Sequence, residues 1–169
     1  KARDRGELES ICKRLFQEST LLLAQEFLYT DFDWRIGILD NAPLYACRYH
    51  MVRGHWQIVA KGNAGRRRYG RVEALPLDQA PGAAVEIAVR AASLIGEGLY
   101  GVDVKEVDGG FLVMEVNDNP NIDAGTEDEV LGDELYFRVM EVFLKRMETV
   151  NETFQGAAED FMELAHAAD

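Results

Sequence analysis

Two strand-length runs, Leu99 to Val107 and Phe111 to Asn117, flank Asp108-Gly109-Gly110, and no other feature constrains the fold as tightly. Asp and Gly tolerate the left-handed backbone that a tight reversal requires, so the runs are predicted to form an antiparallel hairpin. A three-residue turn pairs Val107 with Phe111 and hence Asp103 with Glu115. Asn117 lies two residues beyond Glu115 and points the same way. Three hard oxygen donors, Asp103, Glu115 and Asn117, thus gather at one end of a hairpin. An Asp facing a Glu repels it unless one carboxyl is protonated or a cation intervenes. Magnesium suits this set, with water and nucleotide phosphates completing its octahedron. The alternative is a strand face whose charges diverge into solvent.

An earlier hairpin is predicted from Trp34 to Leu39 and Leu44 to Tyr49, joined by Asp40-Asn41-Ala42-Pro43. Whether the turn has two residues or four, an even loop puts Arg35 and Arg48 on one face, with Asp33 beside Arg35. Two guanidinium groups side by side require an anion, and a phosphate or acyl phosphate satisfies both through bidentate contacts. An Asp33–Arg48 surface pair is the plainer alternative.

Elsewhere, Leu8, Ile11, Cys12, Leu15 and Phe16 follow the i, i+3, i+4, i+7 spacing of an amphipathic helix ending near Ser19-Thr20. The apolar run Leu21 to Leu28 reads as a buried strand. Arg53 to Gly70, with four glycines and no sustained period, reads as a mobile loop, and Arg71 to Leu75 as a short strand. A helix opened by Asp78 or Pro81 carries Val85, Ala88, Ala92 and Ile95 inward and stops at Gly96 and Gly98. A long helix from Glu129 to Met147 turns Leu135, Val139, Val142, Phe143 and Met147 inward, and Phe154 to Ala167 add an acidic helical tail. Hairpins mixed with helices indicate an α+β fold with an antiparallel sheet and flanking helices, not a doubly wound parallel one.

Charge divides the chain. Net charge is −12, yet Asn41 to Val72 contains no Asp or Glu and seven basic residues: Arg48, Arg53, Lys61, Arg66, Arg67, Arg68 and Arg71. The island suits an anionic partner such as phosphate, and the acidic remainder argues against wrapping a nucleic-acid duplex. A solvated basic loop explains Arg66 to Arg68 equally well. The 169 residues, 47% hydrophobic, can bury a core, which excludes disorder and fibrous repeats. No run approaches the about 20 apolar residues of a membrane span, and KARDRGELES has no apolar signal core, so a cytoplasmic location is expected. Cys12 and Cys47 are too few for a disulfide framework or thiolate zinc site and are expected to be packing residues. The chain starts at Lys1 without methionine, which suggests a fragment.

Several chemistries find no support. No Walker-type Gly-Lys-Ser/Thr loop occurs, and Gly62-Asn63-Ala64-Gly65 is too generic to count. Asn117 to Asp128 is no calcium loop, because Ile122 stands where glycine is needed and Pro120 stiffens the turn. His50, His55 and His166 have no ligand spacing, and no Ser or Cys has a nucleophile context. An RNA-binding role through Arg66 to Arg71 lacks stacking platforms and an RRM or KH signature.

The order Gln25-Glu26-Phe27-Leu28, Asp33-Trp34-Arg35, Gly101-Val102-Asp103 and Glu115-Val116-Asn117-Asp118-Asn119-Pro120 resembles the C-terminal part of an ATP-grasp enzyme, in particular the RimK-like carboxylate–amine ligases. The resemblance implies that residues 1–20 belong to the end of a preceding lobe. Residues 21–150 are then the nucleotide- and metal-binding lobe, and 151–169 a tail. Glu26 and Phe27 would meet adenine, Asp33 the ribose or Arg35, and Arg35, with Arg48 beside it, a transferring phosphate. Lys61 is a further phosphate-side candidate. Asp103, Glu115 and Asn117 match the magnesium positions of the superfamily, with manganese as a substitute. The implied partners are ATP, a carboxylate donor such as glutamate and an amine acceptor on a protein, peptide or small molecule. A homo-oligomer is compatible, and a non-catalytic nucleotide-binding module is the alternative function. Asn121, where many relatives carry glycine, and the acidic stretch to Asp128 depart from the pattern. The glycine-rich lid of the first lobe does not occur after Lys1, so the chain alone is expected to turn over poorly.

Overall fold

In the computed structural model, residues 1–61 and 66–166 are described, with the backbone alone for residues 61, 152, 154 and 156–166. Helix α1 (Arg5–Leu15) is opened by Asp4, whose side chain accepts from the Glu7 amide at 2.9 Å. Strands β1 (Phe32–Leu39), β2 (Ala42–His50), β5 (Val72–Leu75), β6 (Leu99–Val107) and β7 (Gly110–Asn117) form one antiparallel sheet in the order β5-β2-β1-β6-β7. Helices α2 (Gly82–Ser93) and α3 (Asp133–His166) pack on opposite faces. The expected α+β architecture, an antiparallel sheet with flanking helices, is the one observed.

Each long hairpin combines a two-residue turn with a one-residue bulge. Asp40 and Asn41 sit at φ +52° and +61°, and Asp108 and Gly109 at φ +52° and +76°, the left-handed pairs of type I′ turns that match strand twist. In β1–β2 the register slips between Gly37 and Ile38, leaving Leu44 as the extra residue. In β6–β7 it slips between Asp103 and Val104, where Met114 is extra.

The face under α2 holds Trp34, Ile36, Ile38, Val102 and Val104. Ala84, Ala88 and Ala92 are fully buried along α2, so the helix backbone lies close to the sheet. Val85 packs there as expected, but Ile95 lies past the helix end and is 58% exposed. The other face divides in two. Near the hairpin turns it packs Leu39, Tyr45 and Cys47 against Leu135, Val139 and Val142 of α3, whereas its far end is polar and open. Phe143 and Met147, expected inward, are exposed, because α3 runs past the sheet and its inward stripe is spent on residues 135 to 142.

Two other expectations are corrected. Leu21 to Leu28 is extended but pairs with no strand, and Leu21 and Leu23 are 82% and 86% exposed. A run apolar on both faces needs cover on both, and here only Leu22 and Leu28 are even half-buried among the described residues. The loop expected over Arg53 to Gly70 contains a small hairpin, β3 (Val59–Lys61) with β4 (Arg67–Tyr69). The Gly62 to Gly65 stretch lies outside the described residues. No helix among the described residues is long and apolar enough to cross a membrane.

Candidate functional site

The open end of the sheet forms the floor of a cleft of about 920 Å³. Asp33, Asp103, Lys105, Met114 and Glu115 line it from the strands, Leu22 to Leu28 from the extended segment, and Leu8, Ile11, Cys12 and Leu15 from α1. The apolar stripe of α1 is thus a cleft wall. Trp56 meets Phe27 edge-on at 5.6 Å and stacks on His55 at 5.8 Å near the rim. Glu26 and Phe27 line the same cleft.

Asp103 and Glu115 are direct cross-strand partners, as expected from the sequence, and Asn117 follows on the same side opposite Gly101. The route to that register differs from the expected one. A two-residue turn alone would place Asp103 opposite Met114, and the bulge at Met114 supplies the missing residue. The bulge also lets Met114 and Glu115 both line the cleft.

Arg35, on the neighbouring strand β1 opposite Asp103, grips that carboxylate with a fork. Its Nε donates to Oδ1 and its Nη2 to Oδ2 at 2.9 Å. The side chains are only 12% and 16% exposed. Burial pulls the Arg35 pKa down, but the hydrogen bonds and charge of Asp103 outweigh it and leave it raised, so Arg35 stays protonated. Gly101 makes room for this arrangement. A Cβ there would lie 2.8 Å from Pro120 Cβ and 3.1 Å from both Arg35 Cδ and Nη1.

Glu115 makes no hydrogen bond or ion pair among the described residues, and Asn117 Oδ1 accepts from the Asn119 amide at 2.9 Å. One oriented carboxylate, one free carboxylate and one fixed amide oxygen fit a hard cation that takes its remaining ligands from phosphate and water. No three His, Cys, Asp or Glu side chains cluster closely enough for an all-protein cage among the described residues.

Arg48 is not part of this site. The extra Leu44 shifts β2 so that Arg48 pairs with Trp34 rather than sharing the face of Arg35. Its guanidinium lies over the Trp34 and Phe32 rings at 4.7 and 5.1 Å and stands 3.9 Å from Glu73. Nor does Asp33 pair with Arg48. Asp33 accepts from Lys105 Nζ at 2.6 Å and from Thr30 Oγ1 at 2.7 Å. Lys61 lies in β3 opposite Arg67, and its side chain is outside the described residues. Part of the basic island is neutralised by Glu73 of β5, which also meets Arg71 at 3.2 Å and His50 at 3.3 Å.

Three functional candidates escaped the sequence reading. Lys105 is two residues beyond Asp103, so strand parity alone puts it on the cleft face. Glu127 and Asp128 are 2% and 9% exposed within the acidic loop after β7, where no local pattern marks them as buried. Glu127 accepts from the Tyr49 hydroxyl and from the Asp123 amide at 2.7 Å. Asp128 accepts from the Gly125 amide at 2.6 Å and the Tyr136 hydroxyl at 2.9 Å. Cys47 is buried beside this loop, and burial pushes its thiol up to about 12, so it is inert as a nucleophile.

The sequence matches the RimK-like ATP-grasp domain over residues 2–133. The chain belongs to the RimK-like ATP-grasp family. A structure of D-alanine–D-alanine ligase from Bacillus anthracis is similar, with a TM-score of 0.60 and 16% identity over 88% of this chain and 50% of that one. The same enzyme complexed with ATP gives 0.59 and 18% identity over 88% and 51%. The ATP-grasp ligase PsnB complexed with a minimal precursor gives 0.47 and 22% identity over 72% and 37%. The ATP-grasp chain therefore spans about half the length of the D-alanine–D-alanine ligase structures. At these identities the first two comparisons show the fold alone. No curated protein matches the sequence.

Proposed function

We propose that this chain is the nucleotide- and metal-binding part of an ATP-dependent carboxylate–amine ligase, acting in the cytoplasm and joining glutamate to an amine on a protein or peptide. The observation that carries this reading is the cross-strand pair of Asp103 and Glu115 on the floor of the cleft, with Arg35 holding the first and the second free. In such a ligase the carboxylate donor attacks the terminal phosphate of ATP, forming an acyl phosphate and ADP, and the amine then displaces phosphate to give the amide. Both steps gather negative charge on phosphoryl and acyl oxygens, so positioning and electrostatic stabilisation dominate catalysis.

The apolar wall from α1 and the extended segment, with Phe27 and Trp56, excludes water around the base. Asp103, Glu115 and Asn117 would hold magnesium, or manganese in its place, which would supply charge neutralisation for the phosphates. Arg35 orients the Asp103 carboxylate through its fork, and Nη1, which makes no hydrogen bond among the described residues, is the donor left for a phosphate oxygen. The pairing of Lys105 with Asp33 leaves Asp33 an acceptor at the cleft wall, suited to a ribose hydroxyl.

The test is hydroxylamine trapping in the full-length protein, because an acyl phosphate yields a hydroxamate whatever the natural amine. Hydroxamate formation that requires both ATP and glutamate, and that is lost in Glu115→Gln, is the expected result. ATP hydrolysis without hydroxamate from any carboxylate would overturn the ligase reading, and glutamate failing where another acid succeeds would overturn the donor.

A further inference from the structure

We propose that Glu127 is a positioning residue that fixes the Asp103 carboxylate through Tyr49 and Arg35. The inference rests on the metal role proposed for Asp103. Four contacts run in series. Glu127 accepts a hydrogen bond from the Tyr49 hydroxyl, the Tyr49 ring lies under the Arg35 guanidinium with 5.0 Å from ring centroid to Cζ, and Arg35 forks onto Asp103. At the other end, Glu127 receives the Asp123 amide at 2.7 Å.

Each link transmits orientation for a physical reason. A carboxylate that is 2% exposed tolerates little misplacement, because every lost hydrogen bond leaves a charge out of water. It therefore fixes the tilt of the Tyr49 ring. A ring within about 6 Å attracts a guanidinium and favours one plane for it. Arg35 is also confined by Gly101, where an added Cβ would stand 3.1 Å from both its Cδ and its Nη1. A planar fork held by the Tyr49 ring and by the close approach of Gly101 sets the direction of the carboxylate it grips.

The consequence reaches beyond one side chain. The loop that carries Glu127 begins at Asn117, itself a proposed metal ligand, and includes Pro120, which packs at Gly101. Loop placement thereby controls two of the three proposed ligands, one directly and one through the relay.

The experiment measures Mn²⁺ binding to the full-length protein in the presence of ADP by electron paramagnetic resonance, with thermal melts alongside. Tyr49→Phe keeps the ring and its volume while deleting the hydroxyl, so it tests the relay without opening a cavity. Tyr49→Phe and Glu127→Ala are each expected to weaken Mn²⁺ binding about tenfold, as loss of a supporting hydrogen bond does at metal sites. Glu127→Gln, which keeps one acceptor, falls between wild type and Glu127→Ala. Because the contacts act in series, the Tyr49→Phe/Glu127→Ala double variant is expected to bind no worse than Glu127→Ala. Unchanged Mn²⁺ affinity in folded Tyr49→Phe and Glu127→Ala, or fully additive losses, would overturn the relay while leaving the metal site intact. A wild-type protein that binds no Mn²⁺ would overturn the metal reading itself.

Discussion

Arg35 and Asp103 sit directly opposite one another on adjacent strands, and the forked ion pair between them is the electrostatic centre of the open end of the sheet. Arg35→Met removes the cation and leaves Asp103 with no partner at 16% exposure. Breaking a buried pair from one side costs about 3 kcal/mol or more, well above a surface bridge. A urea melt should show that loss, and Arg35→Met/Asp103→Leu should recover most of it, since neither charge then remains to be buried. Nucleotide binding should fail to recover in the double variant.

Gly101→Ala is expected to destabilise the fold by about 1–3 kcal/mol, the range for overpacking a tight site. The added methyl would meet Pro120 Cβ at 2.8 Å and Arg35 at 3.1 Å. The loop and the fork cannot both keep their places, so divalent cation binding should weaken together with stability. A thermal midpoint within error of wild type, with unchanged cation affinity, would show that the contact is slack.

The two hairpins explain both what the sequence disclosed and what it concealed. Turn chemistry at Asp40-Asn41 and Asp108-Gly109 located the reversals, and the strand-like runs Trp34 to Leu39 and Leu99 to Val107 beside them fall within the core strands Phe32–Leu39 and Leu99–Val107. A bulge has no comparable signature, because the residues it displaces, Leu44 and Met114, are ordinary strand residues. Its effect on parity is total beyond the slip. In the first hairpin Leu44 moved Arg48 to the opposite face from Arg35; in the second Met114 restored the Asp103–Glu115 pairing that a longer turn would have given. The Leu21 to Leu28 run failed for another reason, since composition reports what a segment must hide and not whether a strand edge lies beside it. Glu127 could not be read as buried because its partner Tyr49 is 78 residues away.

Alkaline pH should destabilise the protein through its buried thiol and phenols. Burial raises the pKa of Cys47 to about 12 and also raises Tyr45 and Tyr49, where the hydrogen bond to Glu127 adds to burial for Tyr49. These groups stay protonated in the fold after the unfolded chain releases their protons. Unfolding therefore loses protons, and stability falls as pH rises. The contribution is complete below the ordinary thiol value of about 8.5 and declines from there through the raised folded values. Melting temperatures between pH 7 and pH 11 should trace this fall, with a shallower slope in Tyr49→Phe. At pH 8, Cys12, on the cleft wall, should react with a thiol reagent while Cys47 does so only on unfolding, and ATP should slow modification of Cys12.

Lys105 joins two parts of the cleft that the backbone leaves separate. Its ammonium reaches both Asp33 of β1 and Thr30 of the extended segment at 2.6 Å, with Lys105 and Asp33 each 12% exposed at the side chain. Lys105→Met removes the cation beside the buried Asp33 carboxylate and leaves Thr30 held by Asp33 alone, so it should cost about 3 kcal/mol and raise the KM for ATP by loosening the segment that carries Glu26 and Phe27. Asp33→Asn alone should cost less, because the amide oxygen still accepts from Thr30 and Lys105 keeps a partner there. In a double-mutant cycle the coupling between the two positions should fall in the range of about 0.5–3 kcal/mol expected of residues in contact. Additive effects on stability would mean that Lys105 and Asp33 are independently solvated in solution, and an unchanged KM for ATP would show that Thr30 needs no anchor to hold the cleft wall.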